Sequence, residues 1–192
     1  IHIEQPDSVH AYSNSLIYSG DKKIARLLGN GRLVDRSAQV LSDNMEYDTQ
    51  NDIGTYTNGG QVIADSTVLT SRKATYYTQT SDVYFKGNVV VVDSQFTLTG
   101  DTLRYNTKSK TAWFFQSTTI EHDSSNILCQ SGWYRTDDGL ASFGKNTIIY
   151  NEPQGLYADS LYYDRERGLG FAFKRFNWVD TSMQTVIRGT EA

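Results

Sequence analysis

Residues 86–106, Lys86 to Asn106, read KGNVVVVDSQFTLTGDTLRYN. Apolar residues recur at every second position, as in Val89 and Val91, Phe96 and Leu98, Leu103 and Tyr105. A period of two sets alternate side chains on opposite faces of a strand, so the stretch reads as strands with one buried face. Three pairs interrupt it: Gly87-Asn88, Asp93-Ser94 and Gly100-Asp101. Gly and Asn accept positive φ, and Asp and Ser bond their own backbone, so the chain is expected to turn at all three. No pair of residues in the stretch has the character of a nucleophile and its base.

The tyrosine near its end belongs to a series. Tyr18, Tyr47, Tyr76, Tyr105, Tyr134 and Tyr163 stand 29 residues apart, without gap or insertion. Two residues before each stand Leu16, Met45, Ala74, Leu103, Gly132 and Leu161. Nine after each stand Leu27, Tyr56, Phe85, Phe114, Phe143 and Ala172, and fifteen after each stand Leu33, Val62, Val91, Ile120, Ile149 and Trp178. A further column holds Val40, Leu69, Leu98, Ile127 and Leu156. Turn residues recur with them, at Gly29-Asn30-Gly31, Asn58-Gly59-Gly60, Gly87-Asn88 and Lys145-Asn146. Each unit is therefore two or more short strands with corners between them. One such unit cannot bury its apolar face alone; a stack of units shares a core.

Six units account for 174 of the 192 residues. Ile1–Glu4 resembles the tail of a preceding unit and Thr185–Gly189 the start of another, so residues 1–192 read as one domain cut from a longer array. Thirteen tyrosines and only two prolines favour sheet. No stretch keeps the 3.6-residue period over twelve residues, so no substantial helix is expected. The formal charge is −4, without the basic stripe of a nucleic-acid binder. No run of eighteen apolar residues exists to span a bilayer.

Candidate chemistry is sparse. The column four before the tyrosines reads Asn14, Asp43, Arg72, Asp101, Gln130 and Asp159. Stacked carboxylates could serve a polysaccharide-cleaving solenoid, but they are spread over equivalent corners and read better as corner chemistry, with Arg72 laddering between Asp43 and Asp101. His2, His10 and His122 lack partners at metal-ligand spacing, so no metal and no cofactor is expected. Cys129, in a column of small residues, reads as a filler. Gly168-Leu-Gly170 lacks the third glycine and the helix of a nucleotide fingerprint.

Laid out in register, the unit resembles the repeat of the OstA-like family, in which a Gly-Asn-Val turn-and-strand precedes an Ala/Gly-Asp-x-Leu-x-Tyr-Asp/Asn segment. Residues 87–106, residues 157–164 (YADSLYYD) and residues 42–48 (SDNMEYD) carry the likeness. Arg72 and Gln130 depart from it at the Asp, and Gln116-Ser117 and Lys174-Arg175 at the Gly-Asn. The strict period and the wealth of tyrosine look most like the OstA-like proteins of the Bacteroides group. The family includes a periplasmic lipopolysaccharide-transport protein and the N-terminal domain of its outer-membrane partner.

The resemblance implies an all-β, antiparallel, open jellyroll of V-shaped section, with lipid A acyl chains riding inside. It implies head-to-tail joining of such domains into a periplasmic bridge to the outer membrane, and no catalysis. An apolar groove would then be lined by Leu16, Tyr18, Met45, Tyr47, Tyr56, Tyr76, Phe85, Val91, Leu98, Leu103, Tyr105, Phe114, Ile120, Phe143, Ile149, Leu161 and Tyr163. Arg165, Arg167, Lys174 and Arg175 would meet a headgroup, or form a solvated edge. The rival from another class is a structural or adhesive envelope module whose core is filled. The columns mix Phe, Trp and Gly, and a periodic pattern does not set the distance between walls.

Overall fold

The computed structural model describes residues 2–5, 9–122 and 125–191. Ile1 lies outside them. Among the described residues there are nineteen strands and no helix. In chain order they are β1 (His2–Gln5), β2 (Val9–Tyr12), β3 (Ser15–Ser19), β4 (Ile24–Val34), β5 (Gln39–Asp48), β6 (Ile53–Tyr56), β7 (Gly60–Ala64), β8 (Thr67–Ser71), β9 (Lys73–Tyr77) and β10 (Asp82–Val92). Then follow β11 (Thr97–Asn106), β12 (Thr111–Phe114), β13 (Thr118–His122), β14 (Ser125–Cys129), β15 (Ser131–Arg135), β16 (Leu140–Asn151), β17 (Gln154–Asp164), β18 (Leu169–Asp180) and β19 (Thr185–Glu191). Every ladder is antiparallel.

The chain runs back and forth in legs with a corner near the middle of each. Some legs are single long strands, such as β4, β5, β10 and β11; others break at the corner into two, such as β6–β7 and β8–β9. One half of each leg pairs in a first wall and the other half in a second. Thus β5 pairs β6 through Met45–Asp48 and β7 through Gln39–Leu41. Two legs make one 29-residue interval.

The corners explain Gly87-Asn88. That pair does not reverse the chain: β10 runs through it, with the register slipping between Lys86 and Val89. Gly87 and Asn88 hold φ of 81° and 51°, and Gly29-Asn30 and Lys145-Asn146 repeat the conformation at the corners of β4 and β16. Two successive left-handed residues serve a bulge as readily as a hairpin turn. Gly100 pairs with Val89 across that corner, also inside a strand. The reversals lie instead at Asp93–Phe96, where the Asp93 N–H donates to the Phe96 carbonyl at 3.0 Å, and at residues 107–110.

The tyrosine series has a packing cause. Across the first wall the cross-strand neighbours run Tyr18, Ala25, Tyr47, Gly54, Tyr76, Val83, Tyr105, Ala112, Tyr134, Ala141, Tyr163, Gly170. A large ring alternates with a small residue on strands about 4.8 Å apart, so each ring has room over its neighbour. The neighbouring inner row runs Leu16, Leu27, Met45, Tyr56, Ala74, Phe85, Leu103, Phe114, Gly132, Phe143, Leu161, Ala172. The second wall faces it with Leu33, Val40, Val62, Leu69, Val91, Leu98, Ile120, Ile127, Ile149, Leu156, Trp178 and Ile187.

A threonine column, unread in the sequence, stitches the turns of the first wall. The N–H groups of Thr49, Thr78, Thr107 and Thr136 donate to the carbonyls of Lys23, Asp52, Ser81 and Lys110 at 2.9–3.2 Å. Each threonine hydroxyl donates to the same carbonyl, at 2.9–3.4 Å. Lys23, Asp52, Ser81 and Lys110 all hold positive φ, between 52° and 61°, which turns their carbonyls toward the next unit.

Candidate functional site

The expected groove residues divide by position along the roll. In the middle they form a filled core. Met45, Tyr47, Tyr56, Tyr76, Phe85, Val91, Leu98, Leu103, Tyr105, Phe114, Ile120, Phe143 and Leu161 are all buried. Phe114 and Phe143 stack with ring centroids 6.2 Å apart. At the N-terminal edge Leu16 is half-buried and Tyr18 is 51% exposed. Toward the C-terminal end Ile149 and Tyr163 are half-buried and pack on the edge of the core.

The central tyrosines put rings inside and hydroxyls at a seam where the outer ends of the two walls meet. The Tyr76 hydroxyl donates to Asp35 Oδ2. Ser37 Oγ lies 3.2 Å from the same hydroxyl and 2.8 Å from Thr107 Oγ1. Asp35 and Ser37 belong to a second-wall turn; Tyr76 and Thr107 belong to the first wall, 41 and 70 residues further along the chain. Lys110 Nζ meets Asp65 at 2.6 Å. Phe96 meets Tyr134 edge-on with ring centroids 4.6 Å apart. Arg165 donates to Gln95 Oε1 and, at 3.2 Å, to the Tyr134 hydroxyl.

Burial, with the carboxylate of Asp52 beside it, pushes the Tyr47 phenol well above its ordinary range. Burial and Asp35 do the same to Tyr76. Burial pushes Tyr56 up to about 12 and raises Tyr105 and Tyr134 as well. These phenols are neutral hydrogen-bonding groups, not proton donors for chemistry near pH 7. Cys129 is buried and its thiol is pushed up to about 12 by burial, so it is inert filler.

Toward the C-terminal end the interior opens. A cavity of about 280 Å³ is lined by Leu156, Leu161, Gly170, Ala172, Phe176, Trp178 and Ile187. A second, of about 160 Å³, lies among Phe96, Ile120, Phe143, Ile149, Tyr163 and Arg165. Phe176 was not legible as a lining residue, because the corner at Lys174-Arg175 shifts the register between Phe173 and Phe176. A further hollow, about 660 Å³, sits at the corner residues Asn30, Asp43 and Asn58.

The four basic residues are not brought together. Arg165 and Arg167 stand in the turn after β17, and Lys174 and Arg175 at the corner of β18. Arg167 pairs with Asp164 at 3.6 Å and Arg175 with Asp159 at 3.3 Å. Arg165 is committed to the seam, and Lys174 is exposed with φ 63°. The acidic column does corner work: Asp43 accepts the Asn30 N–H at 3.2 Å, and Asp159 holds Arg175. The expected charge ladder through Arg72 does not form among the described residues. Instead the Arg72 N–H donates to the Gly87 carbonyl at 2.9 Å and its side chain lies over Gly87. Among the described residues no cluster of His, Cys, Asp and Glu could hold a metal ion, and no helix is long and apolar enough to cross a membrane.

Comparison with known proteins bears on the same chain. No curated protein matches it. Among matching solved structures is LptH, described as the LptA-homologous periplasmic component of the lipopolysaccharide transport device of Pseudomonas aeruginosa. It is 13% identical, with 52% of this chain and 76% of that chain covered and a TM-score of 0.47. The family described as OstA-like protein matches residues 1–101, more than half of the length. With that match, and with the Gly-Asn corners and tyrosine row now placed in an antiparallel roll, the chain belongs to the OstA-like family.

Proposed function

We propose that the chain is a non-enzymatic link in a lipopolysaccharide-carrying bridge, working in the periplasm or at the periplasmic face of the outer membrane. The observation that carries this reading is the apolar cavity open at the C-terminal end of the roll, in a member of the OstA-like family. The cavity continues the inner rows: Leu156, Trp178 and Ile187 extend the line of Leu98 and Ile120. An acyl chain there gains about 0.8 kcal/mol per buried methylene without any special residue. Equivalent rungs let it move with little change in energy. The central rungs would admit a chain only when the walls part along the seam.

Edge pairing supports head-to-tail joining with a second copy or another OstA-like domain. Among the described residues β3 pairs only with β4, and β19 only with β18. An edge with unpaired backbone groups accepts another strand. Sedimentation velocity over a hundredfold concentration range should show growing species; a single sedimenting monomer throughout contradicts the joining.

The filled centre favours a second reading, a structural envelope module. A photocrosslinking side chain at Phe176 and, separately, at Phe114 distinguishes them in cells. The carrier gives lipopolysaccharide adducts at Phe176. Adducts to protein alone at both positions reject the carrier and leave the module.

A further inference from the structure

The outward face of the first wall carries a feature that transport of an acyl chain does not use. Cross-strand neighbours there run Tyr84, Arg104, Trp113, Trp133, Ser142, Tyr162 and Phe171. Two of the three tryptophans thus stand directly opposite each other on the outside. Trp113, Trp133 and Tyr162 are half-buried; Tyr84 and Phe171 are 45% and 43% exposed. Seven strands at about 4.8 Å spacing make the row roughly 29 Å long. The same row toward the N-terminus has other chemistry: Ile17, Arg26, Glu46, Thr55 and Thr75. The inner columns repeat because the core demands it, whereas this outer row changes from polar to aromatic midway.

Members of the row are held in place by their neighbours. Arg104 donates from Nε and Nη2 to both oxygens of Asp82, at 3.0 and 3.1 Å, and Asn106 donates to the same carboxylate at 2.9 Å. Fixed in this way, the guanidinium lies 4.6 Å from the Trp113 ring centre and 5.9 Å from that of Tyr84. Tyr77 meets Tyr84 edge-on at 5.8 Å, and Tyr162 lies 6.4 Å from Phe171. Planes fixed before binding lose little entropy when a ligand stacks on them.

We propose that this face is a binding platform for a glycan chain, with sugar rings stacked along Tyr84, Arg104, Trp113, Trp133 and Tyr162. The pattern of polarity selects the occupant. Around Arg104, Trp113 and Trp133 the row is one residue wide, and the next row there is polar, with Asn106, Thr111 and Arg135; at the β18 end exposed Leu169 and Phe173 widen it beside Phe171. Lys86 and Thr102 flank it on the other side. A pyranose has this arrangement, an apolar C–H face inside a rim of hydroxyls. A lipid surface or a protein hot spot needs a wider continuous apolar patch. An anionic membrane is also disfavoured by the net charge of −4.

The test is calorimetric titration of the whole chain with maltohexaose, cellohexaose, chitohexaose and lipid-free polysaccharide from lipopolysaccharide, with tryptophan fluorescence as a second readout. At least one of these should bind. Trp113→Ala and Trp133→Ala should each weaken it tenfold or more, while the melting temperature reports an intact fold. Trp113→Phe, which keeps a ring, should restore most of the affinity if the alanine variant folds poorly. No binding of any of the four glycans overturns the proposal. So does affinity unchanged in the Trp113→Ala/Trp133→Ala double variant, or a face that sediments with phosphatidylglycerol vesicles and ignores all four sugars. None of these outcomes depends on acyl-chain carriage, so they are separable from crosslinking at Phe176.

Discussion

The middle of the roll and its C-terminal end are built from the same columns and differ in almost everything the columns were expected to do. In the middle, Phe85, Leu103 and Phe114 face Val91 and Leu98, and all are 0–1% exposed. At the end, the same inner rows continue as Ala172, Trp178 and Ile187 around an open cavity, with Ile187 at 51% exposure. The middle is closed by contacts between residues 41 to 70 apart. The end lacks the Phe-for-Phe filling: its inner row places Ala172 beside Leu161. A repeat therefore specifies a rung, and the neighbours on either side decide whether the rung is core or mouth.

The largest way to break the comparison is a buried charge. Phe114→Asp puts a carboxylate where no partner exists, at a cost of several kcal/mol. Cooperative thermal unfolding by circular dichroism should be lost. Ile187→Asp, on the second wall's inner row at the open end, should cost less than about 0.5 kcal/mol. Equal losses at both sites would mean that the end is as closed as the middle.

The next effect is alkaline. Tyr47, Tyr56, Tyr76, Tyr105 and Tyr134 have folded-state values raised above the ordinary phenol range. Below pH 10 both folded and unfolded chains hold these protons, and the contribution is constant. Above it the unfolded chain releases them first, so stability falls with rising pH. The slope is about 1.4 kcal/mol per pH unit for each phenol ionised only when unfolded. Urea midpoints between pH 9 and 12 should drop steeply while the 295 nm phenolate absorbance of the folded chain lags. A flat midpoint would sink this account of the tyrosine row.

What the sequence made legible follows from what a period reports. Spacing of two and of 29 gave strands, columns and the tyrosine row, because each reports which residues share a face. It left the width between the walls unread, since the same Leu and Phe columns suit a filled or an open interior. It marked Gly87-Asn88 as a turning corner without telling a reversal from a bulge inside one strand, because left-handed residues serve both. Why the row is tyrosine rather than phenylalanine was also unread. The hydroxyl partners Asp35 and Ser37 belong to a turn of the other wall, and their offsets of 41 and 70 residues are not multiples of 29.

Tyr76→Phe sharpens that last point with a smaller loss. It keeps the buried ring and removes the donor to Asp35, leaving a carboxylate and Ser37 short of a partner. The expected cost is about 1–3 kcal/mol in chemical denaturation. Tyr18→Phe, half exposed at the N-terminal edge, should fall within about 0.5 kcal/mol. If both behave alike, the hydroxyl row is not a seam.

The smallest effect separates the regions by where it is felt. Thr49 and Thr181 make the same clip: the Thr49 hydroxyl donates to Lys23 O at 2.9 Å, and the Thr181 hydroxyl to Pro153 O at 3.1 Å. In both, the backbone N–H of the same residue also donates to that oxygen, at 2.9 and 3.1 Å. Changing either threonine to valine therefore removes one of two bonds and leaves the acceptor satisfied, a loss of about 0.5–1 kcal/mol. Thr49 lies within a stack that opens as a unit, so its loss should appear in the global melt and speed amide exchange across β4 to β6. Thr181 joins turns beside the end strand, where opening is local and costs less than global unfolding. Its loss should leave the global melt nearly unchanged and speed exchange only in β18 and β19. Faster exchange confined to the end in one variant and spread over the middle in the other would show two cooperative regions cut from one repeat. Identical exchange patterns would show that the roll opens as a whole.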